Sequence, residues 1–274
     1  AADCTGPQCS SRSITDIEGN TAAGSSGDRR TLHGFTPPDP ASRTFSTAHE
    51  CTGGSRISAQ FNTLRNGIPM NHPPVSAVVF DIGAVLVDWN PEYLYSKVIP
   101  DPEQRRWFLS EVCTPEWNFA MDASTSVSEG VAALAAELPE YADLINVWWD
   151  RWSEMLGDEI PGTRSIAEAI QQSGMPIYAL TNWNAQTWEL GLAEFPFLGE
   201  VFDGIVVSGR EGVAKPDPRI FEILSSRYDL EPTTTVFIDD SPKNVAAATN
   251  LGYQAHLFRS APELETWLEE RDVL

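Results

Sequence analysis

The stretch Val78-Val79-Phe80-Asp81-Ile82-Gly83 is three apolar residues followed at once by an acid and then, two positions on, by glycine. A short aliphatic run bounded by polar residues and Gly has the pattern of a strand buried on both faces, as in a parallel sheet. Three runs downstream repeat it: Ile177-Tyr178-Ala179-Leu180, Ile205-Val206-Val207 and Val236-Phe237-Ile238. Helical patterns separate the later ones. After Pro161-Gly162 a helix is expected to reach about Gln172 and close at Gly174. Another spans about Asn184 to Glu194, a third runs from Pro218 to Tyr228, and a fourth starts at Ser241-Pro242, an N-cap with proline in the first turn. This alternation predicts an α/β chain built on a doubly wound, Rossmann-like parallel sheet.

One interval breaks the alternation. Between the first strand and Pro161 no convincing strand is legible, whereas Asn90-Pro91 reads as an N-cap with Pro at N1 and helical segments follow. Tyr141, Leu144, Ile145, Trp148, Trp152, Met155 and Leu156 form a stripe at helical spacing. The residue types suit helix-bundle core better than a substrate box. An inserted α-helical cap over about 91–158 is expected, with the core at 75–90 and 160–274.

Composition changes near Met70. Residues 1–69 hold 31 Gly, Pro, Ser or Thr and no tryptophan, too little apolar surface to offset the entropy of ordering. This segment is read as disordered or non-native, with Met70 as a candidate start. The net charge of −21 therefore belongs to residues 70–274, with 12 basic and 33 acidic residues, and so do all nine tryptophans. Such a charge repels nucleic-acid phosphates and anionic membranes, so neither is an expected partner. No protein partner is evident. There is no run of about 18 apolar residues and no secretory pattern, and a cytoplasmic location is the expectation. Three of the four cysteines (Cys4, Cys9, Cys51) lie outside the domain, which argues against a disulfide framework.

In an open parallel sheet, ligands bind at the carboxyl edge where strand order reverses. The residues just past the predicted strands are Asp81, Thr181-Asn182, Ser208, Lys215 and Asp239-Asp240. Clustered carboxylates suit a hard divalent cation, while Lys and Thr suit phosphate oxygens. An aspartate beside that cation can attack phosphorus and form an aspartyl-phosphate. Neither a G-x-G-x-x-G turn nor a P-loop is present, so NAD and ATP are not expected.

The runs VVFDIGAVLVDWNP, ALTNW, AKPDP and FIDDSPKN, in that order, resemble the four motifs of the haloacid dehalogenase-like hydrolases over about residues 75–270. The subgroup resembled carries a helical cap after the first motif and includes small-molecule phosphatases. The resemblance implies that Asp81 is the nucleophile, that Thr181 and Asn182 bind and frame the phosphoryl group, and that Lys215 offsets its charge. It further implies Mg2+ held by Asp81, Asp239, Asp240 and the Gly83 carbonyl, with Asn244 in support.

Gly83 departs from the pattern, because family phosphatases usually carry there a second aspartate that protonates the leaving group. Such acid–base help is worth about 10²–10⁴-fold in rate. A good leaving group needs less of it, and the DxG form resembles glucose-1-phosphate phosphatase-like members, so a sugar 1-phosphate is one expected substrate among small phosphorylated metabolites. Asp88 is the candidate substitute acid. Two other functions fit the residues: a 2-haloacid dehalogenase using the same nucleophile without metal, and a non-catalytic protein binding a phosphorylated ligand. The Asp239-Asp240 pair favours the metal-dependent phosphatase, since a metal-free site would gain only repulsion from it.

Overall fold

The computed structural model describes Leu64–Arg65, Ile68–Pro69 and residues 72–124 and 126–274. The chain divides into Ala1–Ile57, outside the described residues, and Ser58–Leu274. The disorder expected over 1–69 and the start at Met70 also lie outside them, except for a short antiparallel pair, β1 (Leu64–Arg65) and β2 (Ile68–Pro69).

β3 (Ala77–Phe80) leads through a tight turn into β4 (Val87–Trp89). Five helices follow: α1 (Glu92–Val98), α2 (Pro102–Glu111), α3 (Pro115–Asp122), α4 (Val127–Glu137) and α5 (Ala142–Asp150). The chain returns through β5 (Leu156–Glu159), which pairs antiparallel with β4. This two-stranded ribbon stands in the interval where the sequence showed no strand. Val87-Asp88-Trp89 is too short, and Leu156-Gly157-Asp158-Glu159 too polar, to register as a strand.

The remainder alternates regularly: α6 (Thr163–Gln172), β6 (Ile177–Thr181), α7 (Ala185–Glu194), β7 (Gly204–Val207), α8 (Ser208–Glu211), α9 (Pro218–Tyr228), β8 (Thr235–Asp239), α10 (Pro242–Asn250), β9 (Gln254–Leu257) and α11 (Ala261–Glu269). The caps explain the boundaries. Asn184 accepts the Gln186 N–H at 2.8 Å, Asp217 accepts the Arg219 N–H at 3.0 Å, and Pro218 and Pro242 fill first-turn positions whose N–H would have no partner. Gly174, at φ 80°, supplies the left-handed residue beyond α6.

The five-stranded sheet has the order β7-β6-β3-β8-β9, and every pairing in it is parallel. The chain builds outward from β3 in one direction through β6 and β7, then in the other through β8 and β9. Strand order therefore reverses at β3, and the crevice beyond its carboxyl end is where a ligand is expected. Alternation along the strands divides the core. Val78, Phe80, Ile177, Ala179, Val236 and Ile238 pack toward α6, α7 and α11, while Val79, Leu180, Val206 and Phe237 pack toward α9 and α10. With both sheet faces covered, strands β3 and β8 are buried at every position, which is why they read as unbroken apolar runs.

Candidate active site

Asp81, Thr181 and Asp239 stand at the carboxyl ends of three adjacent strands, β3, β6 and β8, and Asp240 follows directly. All of these but Asp240 are buried. Lys215 reaches in from the loop before α9, and its side chain exposes no surface. Its Nζ lies 2.9 Å from Asp81 Oδ2 and 2.8 Å from Asp239 Oδ2, and donates to the Leu180 carbonyl at 2.7 Å. The ammonium thus uses its three protons on two carboxylates and a strand end.

Asn182 fixes that lysine through the backbone. The Lys215 N–H donates to Asn182 Oδ1 at 2.8 Å and Asn182 Nδ2 donates back to the Lys215 carbonyl at 2.9 Å. Asp239 is held by the Ser241 N–H at 2.8 Å and by Asn244 Nδ2, 3.0 Å from Oδ1 and 3.2 Å from Oδ2. Asp81 Oδ1 accepts the Ile82 N–H at 2.7 Å. Beyond it, the Ile82 carbonyl accepts from Leu86 at 2.8 Å and Val87 at 3.0 Å, which curls residues 82–86 into a turn and swings β4 across the site.

The electrostatics leave the cluster short of positive charge. Burial pushes the Asp81 carboxyl well above the usual range, Lys215 opposes this, and the charges of Asp239 and Asp240 push it further up. Asp240 is raised by burial and by Asp239. Lys215 is held above its ordinary value because the two carboxylates outweigh its burial. One oxygen from each of Asp81, Asp239 and Asp240 comes within 4.8 Å of the others. Three hard oxygen donors facing a single ammonium fit a divalent cation such as Mg2+, and Asp240 is the most open of them.

A cavity of about 180 Å³ adjoins this cluster, lined by Gly83, Ala84, Asn182 and Asn184 from the core side and by Trp148, Trp152, Asn118 and Asp122 from the helical segment. Val87 and Trp89 of β4 line it too. Asp88, between them on the strand, faces the other way: it accepts a hydrogen bond from the Tyr93 hydroxyl and lies against Gly157. The structure therefore does not bring the expected substitute acid to the cavity. Of the aromatics whose direction the sequence left open, Trp89 lines the cavity, Trp107 is exposed beside Tyr141, and Trp117 packs edge-on against Trp148 at 5.1 Å. Trp148 and Trp152 from the apolar stripe are both core and cavity wall.

A Cβ built on Gly83 meets nothing within 4 Å, so the missing side chain leaves open space rather than a filled core. Sequence reasoning missed Asp122, the last residue of α3. Burial pushes its carboxyl up to about 8, against the pull of Lys215. Among the described residues, that carboxylate makes no hydrogen bond or ion pair.

Residues 75–252 match the family model described as haloacid dehalogenase-like hydrolase. The chain is 27% identical over 200 residues to the sesquiterpene phosphatase AstK of Aspergillus oryzae, covering 72% of this chain and 96% of that protein. It is 27% identical to a phosphatase of Mycobacterium tuberculosis, covering 67% and 87%. A magnesium complex of a HAD family enzyme from Bacteroides thetaiotaomicron has the same fold, with a TM-score of 0.57, 18% identity, and coverage of 72% of this chain and 99% of that one.

Proposed function

The chain belongs to the haloacid dehalogenase-like hydrolases, and from that premise we propose that it is a Mg2+-dependent phosphatase that hydrolyses a small phosphorylated metabolite through an aspartyl-phosphate on Asp81. The observation that carries the reading is Lys215 Nζ bridging Asp81 and Asp239, with Asp240 open beside them. That arrangement joins a nucleophile, a fixed positive charge and a carboxylate set in one crevice.

Asp81 attacks phosphorus with a carboxylate oxygen, and its orientation is set beforehand by the Ile82 N–H and Lys215. Lys215 offsets the charge that builds on the phosphoryl oxygens, and the Thr181 hydroxyl hydrogen-bonds them. Asn182 keeps the lysine in place during the transfer. A divalent cation held by Asp81, Asp239, Asp240 and the Gly83 carbonyl would supply further positive charge against those oxygens.

A sugar 1-phosphate is the substrate this reading favours. The cavity is small against the 300–1,000 Å³ of typical ligand pockets, which suits a compact leaving group. Three of its wall residues, Trp89, Trp148 and Trp183, carry buried indole N–H groups with no partner among the described residues. Those N–H groups are sealed from the cavity, so what the tryptophans offer a ligand is their rings, whose faces suit a compact sugar.

Release of inorganic phosphate from p-nitrophenyl phosphate, hexose 1- and 6-phosphates, a nucleoside monophosphate and an acyl phosphate, with Mg2+ or EDTA, tests the proposal. Turnover that needs Mg2+ and vanishes in Asp81→Asn supports it. No phosphate release by the folded protein, with halide release from a 2-haloacid instead, replaces it with the dehalogenase.

A further inference from the structure

With glycine at position 83, the cavity beside Asp81 has no acid of its own on the core side. An alcohol leaving group still needs a proton as the P–O bond breaks, and the water that later attacks the phosphoryl-enzyme still needs a base. We propose that Asp122, entering from the end of α3, is the catalytic residue that performs both transfers. This rests on the phosphatase reading above.

Four observations converge on it. Asp122 lines the same cavity as Gly83, Ala84 and Asn182. Its carboxylate is uncommitted among the described residues, whereas Asp88 faces Tyr93 on the far side of β4. A Cβ at position 83 would meet nothing within 4 Å, and Gly83 opens onto the cavity that Asp122 lines.

The fourth observation is the fastening of α3. The Ser208 hydroxyl donates to the Asp122 carbonyl at 2.6 Å, and the Ser208 Oγ accepts the backbone N–H of Trp183 at 2.8 Å. Asn184 Nδ2 donates to the Met121 carbonyl at 2.9 Å and the Ser124 carbonyl at 2.6 Å. Both Ser208 and Asn184 follow core strands, β7 and β6, so the end of α3 is tied to the catalytic edge of the sheet. An acid carried there keeps its place relative to Asp81, which a proton donor requires.

The proton inventory closes. A bond forms from Asp81 to phosphorus while the bond from phosphorus to the leaving oxygen breaks. The electron pair goes to that oxygen, which takes the Asp122 proton. Water then attacks phosphorus and gives a proton to the Asp122 carboxylate, and the bond to Asp81 breaks. Ester and water become alcohol and phosphate, with both acids restored. Burial raises the Asp122 carboxyl to about 8, against the pull of Lys215, which favours the protonated form that the first step needs. Lys215 is itself paired with Asp81 and Asp239.

The test compares wild type, Asp122→Asn and Asp122→Glu on p-nitrophenyl phosphate, whose leaving group needs little protonation, and on the best hexose phosphate. Asp122→Asn is expected to lower kcat on the hexose phosphate by about 10²–10³-fold and on p-nitrophenyl phosphate by less than tenfold. KM should stay within threefold, and Asp122→Glu should recover part of the loss. The wild-type alkaline limb near pH 8 should disappear in Asp122→Asn. An equal fall on both substrates, or none on the hexose phosphate, overturns the proposal while leaving the phosphatase reading standing. A wild type that turns over neither substrate overturns both.

Discussion

Lys215 Nζ stands 2.8 Å from Asp239 Oδ2, and neither side chain exposes any surface. Removing one partner of a buried pair leaves the other charge without compensation, which costs about 3–5 kcal/mol. Here two carboxylates would be stranded, since Asp81 shares the same ammonium. Lys215→Met is expected to lose about that much stability in urea unfolding and about 10²–10³-fold in kcat. A variant as stable and as active as wild type would reduce the ammonium to a packing element.

The proposed cation site has its own readout. Ligand at 100 times its Kd stabilises by about 2.7 kcal/mol, and for a chain of this size 1 kcal/mol moves Tm by about 2–4 °C. Saturating Mg2+ should therefore raise Tm by about 5–10 °C in the wild type. Asp240→Asn, which removes the most open carboxylate, should abolish most of the rise. An undiminished rise in Asp240→Asn would place the ion elsewhere.

In Gly83→Asp the new Cβ meets nothing within 4 Å, and the backbone there is not in the left-handed region. It should fold normally and, with Mg2+ present, raise kcat on alkyl phosphates. In the Asp122→Asn background the same change should restore activity lost there. Measuring the four rates of that double-mutant cycle decides it: strictly multiplicative effects would mean the two acids do unrelated work.

His256, on β9 opposite Ile238, sets a pH dependence of stability. Its ring lies 4.7 Å from that of Trp267, and burial holds its pKa below the ordinary 6.5, with the Arg271 charge helping and Glu263 opposing. Below pH 6.5 the unfolded chain takes up a proton that the folded ring resists. The stabilisation is thus present above about 6.5 and drains away as pH falls through the lower folded value. Unfolding free energies from pH 7.5 to 5 should show this slope in the wild type and a shallower one in His256→Gln.

Most of the core was legible because its signals are local. Strands β3, β6, β7 and β8 are buried runs, and Asn184, Pro218 and Ser241-Pro242 mark helix starts. β9 was not legible: Gln254-Ala255-His256-Leu257 is an edge strand only partly buried, and half of it is polar. The stripe from Tyr141 to Leu156 kept helical spacing past the point where α5 ends, at Asp150, because a 3-10 turn at Trp152–Met155 continues to bury the same face. Asp81, Thr181 and Asp239 could be nominated because each ends or follows a strand, and Lys215, which sits between α8 and α9, because its AKPDP run resembles a family motif. Asp122 could not, since only the fold carries the end of α3 to the sheet edge.

The complete burial of Lys215 has a kinetic consequence. A phosphorylated molecule diffusing toward this protein meets a surface of net charge −21, with the lysine's field largely cancelled by its own carboxylates. Capture is uphill until the molecule is inside the mouth, so this enzyme would work against long-range repulsion rather than with steering. Moderate salt, which shortens the reach of surface charge to about 10 Å at 0.1 M, should hasten its encounters where it would slow those of a basic phosphatase.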